Sequence, residues 1–488
     1  MTDAEFAAWM ENPESIRCIL VEVVANSGGS EVTRYLSNVG YVTSPTDTPA
    51  NVSYNPCISG GVSVSETLPL SGKPSLAWGD IEVANFGGVR DTWLGDIWSG
   101  RSISVFVGDV RWPRESFRTV FSGVVEDITS RNADTLNLLL RDKSQRLNTP
   151  VTEATLKNDT LTKDTLKPVC FGEVHNITPV LIDGATLTYM VHDGPIENVI
   201  EVRDNGIPVD FGVNLTNGTF ALSASPVGTV TASVQGAKFS GTYANTVGTL
   251  VPALATTYGT TPLSAGDIDS PQIAVFAAAH PQAVGLYLPA RANLLDTMQQ
   301  IAASVGAQVV FTPEGKLQIK QVTLPAVGAP VAIGVSDITA NSLNVASTPT
   351  LQPAVKLGYC KNYTVQSGLT TGLPPAHAEL YGQEWLVVQV LDQTTADLWN
   401  LDTAPEQVDT LLLTRADAEA EANRRLALWG VRRTVFKYDA QRSSAMHALG
   451  AATTLTHSRF GLSGGKTGQI ISKKTDWVSQ KVSFELLV

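Results

Sequence analysis

Glycine and proline recur so often in this chain, 40 and 26 times in 488 residues, that most segments between them are short. Glycine admits positive φ, while proline fixes φ and withholds an N–H, so both end helices and mark turns. The segments they bound are rich in Val, Thr, Ile and Leu, the composition of strands. The fold class that follows is β-rich and multidomain, mainly β with α+β parts. At this length one hydrophobic core does not suffice. A hydrophobic share of 43% and a charged share of 16% are those of a folded chain.

Residues 2–14 have helix-forming composition closed by Pro13, and residues 1–15 read as an N-terminal arm. Residues 16–150 read as a small N-terminal β-barrel with strands at Ile16–Ala25, Val62–Glu66, Gly79–Ala84, Ser102–Val107, Phe117–Ile128 and Thr135–Arg141, the last three forming an antiparallel meander. A polar, Thr-rich stretch makes 151–178 a connector. Residues 179–240 read as a β-sandwich-like module. Its strands are Leu181–Val191, Ile196–Asp204, Ile207–Val213, Thr219–Ser223 and Val227–Gln235, with turns at Asp193-Gly194, Asp204-Asn205-Gly206 and Asn217-Gly218.

In 241–350, an α+β domain, residues 240–285 show little periodicity. The segment 292–305 places Leu294, Leu295, Met298, Ile301, Ala302 and Val305 on one helical face, with Gly306 as the stop. A hairpin follows at Gln308–Phe311 and Leu317–Gln321. Residues 351–488 contain a helix over 415–429, where Thr414 and Asp417 resemble a capping box and Ala418, Ala422, Leu426 and Trp429 form a stripe. Strands at Thr434–Tyr438, Ala452–Thr456, Gly468–Lys474 and Lys481–Leu487 close the chain as a second small β-barrel.

The residue patterns nominate no catalytic, cofactor-binding or metal-binding residue. Gly461-Leu462-Ser463-Gly464-Gly465 matches G-x-S-x-G, but a strand and not a helix follows it, so the strained elbow that exposes a nucleophile is missing. Gly465-Lys466-Thr467 resembles the end of a phosphate-binding loop, but Phe460 stands where its first glycine belongs. His175, His192, His280, His377, His447 and His457 are dispersed, without H-E-x-x-H or ligand spacing. Glu126 and Asp127 on consecutive strand positions point to opposite faces, which is wrong for paired acid and base work. Cys18, Cys57, Cys170 and Cys360 lie far apart and read as buried free thiols.

With 34 basic against 46 acidic side chains, a net charge of −12, the chain lacks the cationic excess that grips phosphate, so no sequence-specific nucleic-acid binding is expected. If DNA passes through an assembly built from this chain, an acidic lining would repel it and let it slide. The first residues lack the basic start and apolar run of a signal peptide, and no stretch has the length of a membrane span, so synthesis in a cytoplasm is expected. Trp78, Trp93, Trp98 and Trp112 crowd the first β domain and suit either a core or an interface.

Several stretches resemble the tail hub proteins of long-tailed bacteriophages. They are Tyr35-Leu36-Ser37-Asn38-Val39-Gly40-Tyr41, then Gly79-Asp80-Ile81-Glu82-Val83-Ala84-Asn85 with the Trp-rich turn and the Ser102–Gly108 strand. To these are added Gly172–Gly236 with Tyr189 and Gly218-Thr219-Phe220, and Thr456-His457-Ser458-Arg459-Phe460-Gly461-Leu462 with Gly468-Gln469-Ile470-Ile471 and Asp476-Trp477. The resemblance implies a homotrimer in which an N-terminal and a C-terminal barrel from each chain alternate, so that three chains present six similar units to a six-fold tail tube.

It also implies a place in the virion's baseplate or tip, and a channel for tape measure protein and DNA. The implied partners are a distal tail or tail tube protein, the tape measure protein, and tip or fibre proteins that bind the receptor. Some related hubs hold an iron–sulfur cluster on clustered cysteines; here none follows Cys360, and no cofactor is expected. The rival readings are a hexameric distal tail ring or a receptor-binding tail protein, and a tail-associated glycan or cell-wall hydrolase. Copy number per tail separates the first pair from a hub, and two convergent carboxylates would favour the hydrolase.

Overall fold

The computed structural model describes residues 2–70, 78–156, 164–366 and 374–488. The chain divides into two compact units that cut across the consecutive domains set out above. One gathers Met1–Gln145, Val310–Pro349 and Arg433–Val488; the other gathers Arg146–Val309 and Thr350–Arg432. Residues 157–163 of the expected connector and the side chain of Trp78 lie outside the described residues.

The first unit is built on one large, mostly antiparallel sheet. Its strand order begins Asn344–Ser347, Val435–Ala440, Lys481–Leu487 and Lys466–Asp476, all from late in the chain. It continues without a break through Ile58–Thr67, Trp78–Ala84, Thr135–Arg141, Arg118–Asn132, Ser102–Asp109, Arg17–Ser27 and Ser30–Ser37 to Ser53–Pro56 and Tyr41–Val42. Val331–Ile333 and Ala452–Leu455 branch from Lys466–Asp476. The N-terminal and C-terminal β regions therefore run into each other. Alternation fixes the buried face in Ile58–Thr67, where Val62, Val64 and Glu66 turn inward, and in the second half of Arg17–Ser27, where Val21, Val23 and Ala25 do; Cys18–Val21 is buried on both faces. One aromatic cluster joins Tyr41, Tyr54 and Phe117 with Leu20 and Cys18.

Residues 2–14, taken from the sequence as an arm, fold back onto this unit. In the helix Asp3–Glu11 the Thr2 hydroxyl accepts from Glu5 N at 3.3 Å, and Thr2 N donates to the Glu5 carboxylate at 2.6 Å. Phe6 and Met10 are buried. The Trp9 ring lies 4.8 Å from that of Trp112, and its indole N–H donates to Asp109 at 3.3 Å. Ser443 N donates to Glu11 at 2.9 Å, and Arg442 pairs with the same carboxylate at 3.3 Å. A helix of nine residues is too short to persist alone in water, so its stability comes from this docking.

In the second unit, Ile196–Asp204, Val230–Phe239, Val169–Ile177 and Gly285–Leu288 form the main sheet. Val180–Asp183, Thr188–Met190, Thr219–Leu222 and Phe211–Asn214 form a smaller one. The two share a core of Val174, Ile177, Val199, Val202 and Val234 with Tyr189, Phe220 and Leu222. The expected strand Leu181–Val191 is two strands, because Asp183 accepts from Ala185 N at 2.8 Å and closes a turn.

Residues 240–285, aperiodic in sequence, contain the helices Val247–Thr257 and Ser270–Ala279. Pro252 and the many small residues hid the first, which buries Leu250, Val251, Leu254 and Ala255. The helix of 292–305 is observed as Leu294–Ala303, with Gly306 at φ 65° just beyond it. The helix Arg415–Trp429 packs on the strands Ala354–Tyr359 and Leu386–Leu391. Its buried residues are Ala418, Glu421, Ala422 and Leu428, so Leu426 and Trp429 of the expected stripe give way to Glu421 and Leu428. Burial of Glu421 is tolerated because Arg424 and Arg425 bind its carboxylate at 2.7 and 2.6 Å, and Arg425 also donates to Ala303 O at the end of the neighbouring helix.

Candidate functional site

Among the described residues, the side chains with chemistry to offer do not converge. Ser463 is exposed in the loop joining Ala452–Leu455 to Lys466–Asp476, a strand-to-strand connection without a helix N-terminus. Among the described residues no three His, Cys, Asp or Glu side chains gather as a metal site. The four thiols are buried and unpaired, and burial pushes Cys18 up to about 12 and Cys360 up to about 11, away from nucleophilic thiolate. His192 accepts from Cys170 N at 3.1 Å and is buried, which lowers its pKa to about 4. Glu126 and Asp127 do not alternate as expected. A bulge between Val125 and Asp127 leaves both exposed, with Glu126 paired to Arg141 at 2.8 Å. No helix among the described residues is long and apolar enough to cross a membrane.

What the first unit does present is a seam. Ser63, Val64, Ser65, Glu66 and Thr67 pair in antiparallel register with Asp476, Thr475, Lys474, Lys473 and Ser472. Backbone bonds extend the contact at both ends, Leu68 N to Ile471 O at 2.7 Å and Trp477 N to Val62 O at 2.9 Å. On the buried face Val62 and Val64 lie with Thr475 and Trp477, and Glu66 lies opposite Lys473 with 4.0 Å between carboxylate and ammonium. Burial pushes the Glu66 carboxyl up, and the Lys473 charge opposes that push. Sequence reading missed this pair, since nothing local to either residue names the other.

The loop between Trp78–Ala84 and Ser102–Asp109 is the second feature. Buried Asn85 organises it: its amide donates to Asp91 at 2.8 Å and to Ala133 O at 3.1 Å, and its oxygen accepts from Arg90 N at 2.8 Å. The buried Trp98 indole donates to Trp93 O at 2.7 Å, and the Arg34 guanidinium, paired with Asp96, lies 4.5 Å above the Trp93 ring. On this scaffold Phe86, Val89, Leu94 and Ile97 are 69%, 69%, 50% and 59% exposed. Of the tryptophans singled out in sequence, Trp98 fills core, Trp93 is half-buried in this loop, and Trp112 packs on Trp9.

No family model matches the chain, and no curated protein matches it. Among solved structures it is similar to the tail protein from Neisseria meningitidis MC58, at 11% identity over 97% of this chain and 96% of that one, with a TM-score of 0.39. It is similar to the 43 kDa tail protein of prophage MuSo2 from Shewanella oneidensis, at 11% identity over 96% and 98%, with a TM-score of 0.40. It is also similar to a prophage tail protein from Listeria monocytogenes EGD-e, at 9% identity over 96% and 94%, with a TM-score of 0.38.

Proposed function

We propose that this chain is a structural subunit of a bacteriophage tail, a baseplate or tip hub that acts by assembly and not by catalysis. The observation that carries the reading is the seam. Strands from the first 145 residues and from the last 56 form one continuous sheet, so a single chain offers two β regions side by side. Three copies of such a chain would present six units to a six-fold tube. Two of the motifs that carry the resemblance fall in this unit's strands and loops: Gly79–Asn85 is the strand Trp78–Ala84 plus the buried Asn85, and His457–Leu462 is a turn beside the sheet, whereas Gly172–Gly236 lies in the second unit.

In this reading the hub joins the tail tube or distal tail protein to tip or fibre proteins and forms part of the channel for tape measure protein and DNA. Its chemistry is burial of interface area, as in other obligate closed assemblies. The exposed apolar loop Phe86–Ile97 suits such a contact. The excess of acid lies in the second unit, which has 23 Asp and Glu against 13 Lys and Arg, compared with 23 against 21 in the first. That unit is ill suited to holding DNA phosphate.

The test is to count copies in intact tails by electron microscopy and to weigh the purified chain in solution. Three copies at the tube end are expected. Six copies in a ring would favour a distal tail protein, and a chain absent from particles would refute the proposal.

A further inference from the structure

The turn His457–Gly465 and the segment Val335–Leu343 enclose a cleft of about 320 Å³ within the first unit. Val335, Ile338, Leu343 and Phe460 give it apolar walls, and His457 and Arg459 give it polar ones. Both walls are fixed. Val331–Ile333 pairs with Ala452–Leu455, Thr456 N donates to Ile333 O at 2.9 Å, and Thr339 N donates to Asp439 O at 2.8 Å. The turn is pinned by fully buried Leu462, whose carbonyl accepts from His457 N at 3.1 Å and from Gly465 N at 3.0 Å.

The cleft is equipped with donors. His457 Nδ1 accepts from Arg459 N at 3.1 Å, so the ring's N–H donor is Nε2. Arg459 is exposed and, among the described residues, has no acidic partner; its guanidinium lies 5.8 Å from the Phe460 ring centroid. Phe460 itself has φ 58°, a backbone conformation that a bulky residue seldom adopts and that is found where a surrounding turn imposes it. The turn thus holds an aromatic ring and a free guanidinium together at the mouth of an apolar cleft.

Two features say what would enter. The cleft lining includes the cation Arg459 and contains no Asp or Glu. The strand Asn344–Ser347, which follows Leu343 directly, ends the sheet order, and all four of its residues are exposed. Among the described residues its outer edge carries no partner strand. An open edge accepts extended backbone, and a guanidinium and an imidazole N–H both donate to a carboxylate.

We propose that this cleft and strand edge bind an extended peptide segment of a partner protein, with a carboxylate on Arg459 and His457 and an apolar neighbour against Phe460 and Leu343. The site does not depend on the chain's place in a tail.

The test uses the full chain and fluorescein-labelled hexapeptides, read by fluorescence anisotropy. One ends in an internal Glu followed by an amide, one ends in a free Val carboxylate, and their controls carry Gln or a Val amide. Saturable binding of either acid peptide, with its neutral control about tenfold weaker, is expected, and the tighter of the two names the source of the carboxylate. Arg459→Gln should weaken binding about tenfold with unchanged melting temperature. Phe460→Gly, which suits the positive φ, should weaken it too. Lys466→Gln, at the exposed start of the strand Lys466–Asp476, should change it less than about twofold. Equal binding of acid and neutral peptides, equal loss with Lys466→Gln, or no saturable binding at millimolar peptide would each overturn the proposal.

Discussion

Phe6→Ala is the substitution that best tests whether the N-terminal helix belongs to the fold. Phe6 is fully buried in a nine-residue helix near the start of the chain, 5.2 Å from the Trp9 ring and 5.3 Å from the Arg118 guanidinium. Truncating a buried Phe to Ala costs about 3–5 kcal/mol in a well-packed core. Here the cost has a ceiling, because a short helix whose anchor is lost can detach without unfolding the sheet beneath it. The remaining anchors include Met10, the Trp9–Asp109 hydrogen bond, the Asp3–Arg118 ion pair and the Glu11 contacts with Arg442 and Ser443. The expected loss is therefore about 3 kcal/mol in the local opening of residues 3–11, roughly a hundredfold in their amide protection. Hydrogen exchange read by mass spectrometry on the amino-terminal peptide measures it, with the sheet strands as internal reference. A change in protection smaller than about threefold would refute the docked helix and restore a free arm.

Asp109 is almost fully buried and accepts from Ile16 N, the Trp9 indole and the Arg111 guanidinium, so Asp109→Ala should cost roughly 2–4 kcal/mol in denaturant titration. The Arg111 hydrogen bonds hold its carboxyl well below the usual carboxylate range, so this stabilisation is present above about pH 4 and is lost as pH falls further. The wild type should therefore lose more stability than the variant in strong acid. Gly79→Ala should destabilise by about 1–3 kcal/mol, since a Cβ there would run into Ser63 O; a strand glycine with room beside it would instead gain about 0.5–1 kcal/mol from the same change. His192, with its pKa lowered to about 4 by burial, stays neutral where an unfolded histidine takes up a proton. Stability should therefore fall as pH drops from about 6.5 to about 4, by up to roughly 3 kcal/mol from this group, and melting curves of wild type and His192→Gln across that range should converge.

The β-rich class was legible because strand and turn signals are local. Thr135–Arg141 has the bounds read from sequence, and Arg415–Trp429 begins where Thr414 accepts from Asp417 N at 3.2 Å. The buried stripe of that helix was harder to read, because Glu421 goes inside on the strength of two arginines that a hydrophobicity pattern counts as solvent-facing. Val247–Thr257 was hidden for the opposite reason: Pro252 argues against a helix locally, and burial of Leu250 and Leu254 overrides it. Asn85, which organises the exposed loop, looks in sequence like any turn asparagine. The candidate surfaces were accordingly the least legible part, since each depends on residues that meet only after folding.

The seam is the extreme case, and it bears on how the molecule must form. Thr67 and Ser472, joined through their hydroxyls at 3.2 Å, are 405 residues apart. Closing a flexible loop costs about 0.6 kcal/mol more for each doubling of its length, so four doublings beyond a 25-residue loop add only about 2.4 kcal/mol. That is within reach of five register pairs and a buried face carrying Val62, Val64 and Trp477. The obstacle is kinetic more than thermodynamic, because Ile58–Thr67 is made long before its partner strand and has an open edge until Lys466–Asp476 arrives. Independent folding of the intervening residues 146–309 and 350–432 would shorten the loop that remains to be closed. The polar content of the seam then has a physical reason: Ser63, Ser65 and Glu66 make the waiting edge a poorer template for other chains than an all-apolar strand, and Lys473 meets the buried carboxylate only when the correct partner is in register.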